Sequence, residues 1–198
     1  MKVLSTVLAL FMLCLVAVPQ TKDAPQTKDL GLGAFSNEKG PILLAVDSSL
    51  IPWRLKKPYA LFILYMAAKD SGKNIVVARD GIVLVYKGEV YKMPSIQELR
   101  KNYSAEIHDL DFYRHLGKEG IIASWMRLYR FPEQGDFYPP MTMRASVPTN
   151  EGSMSGNLGF VAKCYFKNPG FEKGDQFTIR VTAKNDPSLV SEVEVVLK

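Results

Sequence analysis

The densest group of side chains able to do chemistry lies between residues 106 and 115. Glu106, His108, Asp109, Asp111 and His115 bring both histidines of this 198-residue chain together with three carboxylates. Imidazole nitrogens and carboxylate oxygens are ligands for zinc and other divalent cations. On a helix, Asp111 and His115 would be i, i+4 neighbours able to share an ion. His108 and His115 would stand two turns apart, too far for easy shared ligation. No HExxH or His-x-His pattern is present. His108, Asp111 and His115 are therefore the candidate metal ligands. A metal-binding protein or metal-dependent hydrolase is one reading of them, and a hydrogen-bonded polar surface connection is the other.

Other catalytic arrangements find less support. Ser95, Ser104 and Ser124 are available as nucleophiles, but none sits in a Gly-x-Ser-x-Gly elbow. A triad can assemble from distant positions, so Ser with His108 or His115 is judged by geometry and not by spacing. Gly31-Leu32-Gly33 is followed by no helical pattern and so lacks the context of a phosphate cradle. Asn102-Tyr103-Ser104 fits a glycosylation sequon, which carries meaning only in a host that uses it. No cofactor is implied. Tyr129, Phe131, Phe137 and Tyr138 gather beside Pro132, Pro139 and Pro140. Rigid rings on a loop gain contact area at low entropic cost, which makes these four the candidate binding surface. Their competing role is to plug the ends of a core, where most aromatic side chains go.

The elements that position these groups begin with an address. Lys2 precedes an apolar run over residues 3–18, in which Ser5 and Thr6 are the only polar side chains, and the chain turns polar at Gln20-Thr21-Lys22. A basic start and an apolar stretch of this length read as a secretory signal, assigned to 1–20. A spanning helix needs roughly twenty apolar residues, so an uncleaved membrane anchor is the alternative and no further span is expected. Phe11, Met12 and Leu13 before Cys14 do not make a lipobox. The expected location is secreted or periplasmic. With Cys14 removed, Cys164 cannot form a disulfide within the chain, and an apolar alternating neighbourhood makes it a small buried hydrophobe.

The net charge of +5 becomes +4 without Lys2. The cations are scattered, and the densest cluster, Arg54-Leu55-Lys56-Lys57, is too short for the stripe that nucleic acid demands. No nucleic-acid partner is expected. The partner is an unidentified protein or envelope component.

Pro-Gln-Thr-Lys-Asp occurs twice between residues 19 and 29, polar and without apolar period, which predicts a flexible tether over 21–40. Strand patterns follow at 42–46, 59–68, 75–79, 82–86 and 89–92. Asp80-Gly81 and Lys87-Gly88 are both placed as tight hairpin turns. Ser95-Ile96-Gln97-Glu98 is a capping box, and Ile96, Leu99 and Tyr103 continue at helical spacing, which predicts a helix over 96–103. Residues 104–118 read as a second short helix or a loop. Strand patterns return at 121–130, 141–147, 158–166, 176–183 and 189–197, with a loop at 149–156.

Short strands at regular spacing, with Gly, Pro, Asn and Asp turns and no βαβ alternation, predict a mostly β, antiparallel sandwich. One or two short helices are inserted around 95–117. The resemblance to immunoglobulin-like sandwiches extends to strand count and spacing, and the Cys…Trp…Cys pattern is absent. The folded domain spans 41–198, as one unit or as two packed halves, 41–138 and 139–198. The expected function is that of an exported, non-catalytic binding protein. A third reading is strand exchange with a partner at the edge formed by 141–147.

Overall fold

The computed structural model of the chain describes residues 27–103, 109, 122, 127–132, 137–138 and 148–198. In chain order the strands are β1 (Lys28–Gly31), β2 (Ala34–Asn37), β3 (Ile42–Asp47), β4 (Tyr59–Ala68), β5 (Ile75–Ala78), β6 (Ile82–Tyr86) and β7 (Glu89–Lys92). Helix α1 (Ile96–Asn102) comes next, then β8 (Glu151–Met154), β9 (Phe160–Lys167), β10 (Gln176–Thr182) and β11 (Val190–Val196). The architecture is mostly β and antiparallel, as the strand spacing predicts. One sheet has the order β1-β2-β3-β4-β9, a second has β11-β10-β6-β7, and β5 pairs with β8 in a two-stranded piece.

Side-chain contacts fix which faces meet. Phe62 of β4 lies 5.4 Å from Phe177 of β10, ring centre to ring centre, so the even-numbered residues of β4 look toward the second sheet. Tyr59 packs against Tyr103 and Tyr65 against Phe131, each at 5.5 Å, so the odd-numbered face is covered as well. Every residue of β4 is buried, and every one is apolar or aromatic. That is the continuous run expected of a strand covered on both sides. Strands β6, β10 and β11 instead alternate buried with half-exposed, leaving their outer face to water. Arg180 and Glu192 face each other there in register and form an ion pair.

Two features close the sandwich. At the end where β4 begins, Phe62 stands edge-on to Phe166, Phe171 and Phe177, and the four rings form an aromatic plug. At the other end Ser191 of β11 reaches across to β3. Its hydroxyl accepts from the Ile42 backbone N–H at 3.1 Å, while Asn37 donates to the Glu192 carbonyl at 2.8 Å.

The structure corrects several sequence expectations. Residues 28–37, assigned by composition to the tether, form the hairpin β1–β2, which pairs in register with β3. Short polar strands carry little apolar period of their own, and their neighbours decide them. Asp80-Gly81 is no hairpin turn. Arg79–Gly81 is a 3-10 turn that carries the chain from the β5–β8 piece to the second sheet. Lys87-Gly88 is the hairpin turn, with both residues at positive φ (50° and 82°) between the paired Tyr86 and Glu89. The loop expected at 149–156 contains β8. Of the strand expected at 121–130, Ile122 is helical and 127–129 form a turn that ends in a single bridge from Arg130 to Leu158, the remainder lying outside the described residues. The signal segment and the edge 141–147 also lie outside them.

The two sequence halves interleave. β9 pairs with β4, β10 with β6 and β8 with β5, so both halves contribute to every sheet.

Candidate functional site

The four aromatic residues expected to form a binding surface do not share an exposed face. Phe137 and Tyr138 are fully buried, and Tyr129 and Phe131 are half-buried against the core. Phe137 packs on Phe160 at 5.5 Å and Phe131 stands edge-on to Tyr65. The recognition reading is corrected for Phe137 and Tyr138, because a ring closed off from solvent offers no contact area to a partner. The metal candidates His108, Asp111 and His115 lie outside the described residues. Among the described residues no three His, Cys, Asp or Glu side chains converge as a metal site.

Tyr138 instead belongs to a buried group of phenols between α1 and the outer face of β4 and β9. Tyr165 stands edge-on to Tyr138 at 5.3 Å and to Tyr103 at 6.0 Å. Tyr103 donates its hydroxyl proton to the Asp109 carboxylate, which also meets the Arg54 guanidinium at 3.3 Å. Tyr59 donates to Glu98 at 3.2 Å, and Tyr138 donates to the Pro94 carbonyl at 2.7 Å. Arg79 donates to that same carbonyl and lies 4.3 Å over the Tyr138 ring.

Helix α1 is positioned for this by its cap. The Ser95 hydroxyl accepts from the Glu98 N–H at 3.0 Å. The Glu98 side chain does not complete the capping box but goes to Tyr59.

Burial pushes the Tyr103 phenol well above its usual value, and the hydrogen bond to Asp109 adds to the effect. Burial does the same to Tyr138, where the Arg79 cation offsets part of it. Both phenols stay protonated at neutral pH and act as donors, not as bases or nucleophiles. The cluster thus fastens α1 to the sheet. Cys164 on β9 is wholly buried, as its alternating neighbourhood predicts.

Two clefts open on the surface. One, about 570 Å³, is lined by Thr27, Lys28, Ser36, Glu38 and Lys39. The other, about 410 Å³, lies between Arg79, Asp80, Lys92 and the Glu151–Lys184 ion pair. Arg79 is already committed to Pro94 and Tyr138, so that second cleft holds more bound charge than available charge.

The exposed apolar residues are elsewhere. Leu32 is 60% exposed and Trp53 is 68% exposed. Leu32 and Gly33 are the turn of the β1–β2 hairpin, at φ 53° and 85°, with Gly31 before them at 89°. A leucine in the left-handed region is uncommon, and Asn or Gly is the usual occupant of that turn position. The Gly33 carbonyl accepts from both the backbone N–H and the hydroxyl of Ser48, at 2.9 and 2.8 Å. This stitches the Leu32 turn to the loop that runs into the 3-10 turn Ile51–Trp53. Lys56 and Lys57 continue that loop in solvent, and Asn168 clamps it by donating to the Leu55 and Lys57 carbonyls. In the sequence the flanking Gly31 and Gly33 are the signal for the exposed Leu32 turn. Comparison with protein-family models, with curated proteins and with solved structures finds no match to this chain.

Proposed function

We propose that this chain is an exported, non-catalytic binding protein whose ligand surface is the loop pair carrying Leu32 and Trp53. The observation that carries this reading is the backbone of Leu32. A branched apolar side chain held at φ 53° costs about 1–2 kcal/mol, and Leu32, at 60% exposed, offsets little of that by burial. Residues kept in such a conformation on the surface are best accounted for by what they touch. Trp53, on the loop that Ser48 ties to the Leu32 turn, adds a large rigid surface, and Lys56 and Lys57 add positive charge, which favours a ligand with apolar and anionic groups. The basic start and apolar run of residues 1–18 support export. The ligand is a protein or other envelope component.

The test uses Leu32→Asn and Trp53→Ser, singly and together, as baits in envelope extract beside the parent chain. The double variant is expected to keep its circular dichroism and melting transition while losing a component that the parent captures. Identical capture by parent and double variant overturns the assignment.

A further inference from the structure

We propose that the opposite end of the sandwich, beside which the described chain begins at Thr27, rests on an anionic lipid bilayer, with the apolar run of residues 3–18 retained as an uncleaved anchor. This goes beyond the ligand surface at Leu32 and Trp53, and it concerns a different rim.

The described chain starts at Thr27, whose hydroxyl accepts from the Glu194 N–H at 2.9 Å and so fixes where the N-terminal segment emerges. Lys28 pairs with Ser36, level with Ala45 of β3 and Tyr65 of β4, and the step back from Lys28 to Thr27 points toward the end of the sheet where β3 begins and β4 finishes. Trp53 precedes β4 and therefore lies at the other end. Eight residues, 19–26, separate Thr27 from the apolar run, a reach of at most about 29 Å. Whatever holds the apolar run is thus within that distance of this rim.

The rim can be followed bond by bond. Lys28 and Lys39 flank the 570 Å³ cleft. Lys69 donates to the Lys39 carbonyl at 3.2 Å, and the turn that follows carries Lys73. In that turn the Ser71 carbonyl accepts from Gly156 at 3.1 Å. Two residues on, Leu158 bridges to Arg130. The Arg127–Leu128 step precedes that bridge. Leu128 is 80% exposed and Leu158 is 41% exposed.

Lys28, Lys39, Lys69, Lys73, Arg127 and Arg130 are all in solvent toward this end, against Glu38, Asp70, Asp80 and Asp186. Asp70 accepts from the Gly72 N–H at 3.0 Å and Asp186 from Ser188, both remaining carboxylates, so the cations outnumber the anions by six to four. An excess of cations around exposed leucines, at the exit of a membrane-seeking segment, matches a negatively charged headgroup surface with acyl chains below it. β1 and β9, the outer strands of the sheet, are about 19 Å apart at four strand spacings, so the contact spans the width of the sheet.

The experiment is hydrogen exchange on the full chain bound to vesicles of pure phosphatidylcholine, or of phosphatidylcholine with phosphatidylglycerol. Slowed exchange over 69–73, 127–130 and 156–159 is expected on the anionic vesicles only. Arg127→Gln and Arg130→Gln should each lower partitioning onto those vesicles by roughly fivefold. Leu128→Ser, at a solvent-exposed position, should weaken it without altering the melting transition. Equal exchange on both vesicles, no binding to either, or protection over 31–33 and 53–57 instead overturns the proposal. The last outcome assigns the bilayer to the Trp53 rim. Loss of partner capture in the Leu32 and Trp53 variants is read separately, so the two assignments fail independently.

Discussion

Tyr103 and Tyr138 show how buried phenols make this fold sensitive to alkali. Each keeps its proton in the folded state to a higher pH than in the unfolded chain, where a phenol titrates near 10. The stabilisation from each is complete below that pH. Above it the unfolded chain releases protons that the folded state retains, and the balance shifts toward unfolding until the folded-state value is passed. The melting temperature should therefore be flat through neutral pH and fall once pH exceeds about 10. Tyr103→Phe and Tyr138→Phe should each make that fall shallower, while lowering the melting temperature at pH 7 by loss of a hydrogen bond. For Tyr103→Phe the loss leaves Asp109 one donor short in a buried position, a cost of about 1–3 kcal/mol. Thermal melts between pH 7 and 12 measure both quantities. An unchanged alkaline slope in the double variant would place the phenols in contact with solvent.

At the level of elements, Gly81 and Gly88 look alike in sequence, each closing a turn after a polar residue. Gly88 is needed for its φ of 82°, and a Cβ there would meet only open space. Gly81 is needed because a Cβ would come within 2.6 Å of the Thr182 carbonyl on β10. Gly88→Ala should cost about 1–2 kcal/mol through backbone strain alone. Gly81→Ala has to push a sheet strand aside and should cost more, up to about 3 kcal/mol, with altered chemical shifts in β10. Equal costs from chemical denaturation would refute the distinction. The pair also shows what could be read in advance. Lys87-Gly88 is a local event, and local patterning found it. Asp80-Gly81 has the same local chemistry, but β5 and β6 are claimed by β8 and β10, partners 70 or more residues away whose pull no short window contains. Strands β3, β4, β9, β10 and β11 were legible because burial imposes a continuous or alternating apolar pattern on them. β1, β2 and β8 were not, being four residues each with partners elsewhere to decide them. The same limit applied to the site. Aromatic content pointed to 129–138, yet exposure is a property of packing, which buried Phe137 and Tyr138 and left Leu32 and Trp53 outside.

Across the whole molecule, the interleaving of distant segments predicts that the fold melts as a single cooperative unit. The central strand β4 has β3 on one side and β9, about a hundred residues later, on the other. Neither sheet is complete until the C-terminal segment arrives, and one apolar cluster runs through both. Long loops must close before these pairings are rewarded, so folding should be slow for a domain of this size, in the millisecond-to-second range. The same topology separates the two proposed surfaces. β4 is ten residues long, so the Trp53 rim and the Leu128 rim stand about 33 Å apart, one facing a bilayer and the other facing away from it. A domain used as such a spacer has to resist opening between its ends, and the shared core supplies that resistance. Scission at the 138–139 junction tests it. The fragment 1–138 loses β8, β9, β10 and β11, which exposes both the even-numbered face of β4 and the inner face of β6. It should show no cooperative melt, while the intact chain shows one transition by fluorescence and circular dichroism alike. A fragment that melts cooperatively would mean that the N-terminal strands close a core of their own.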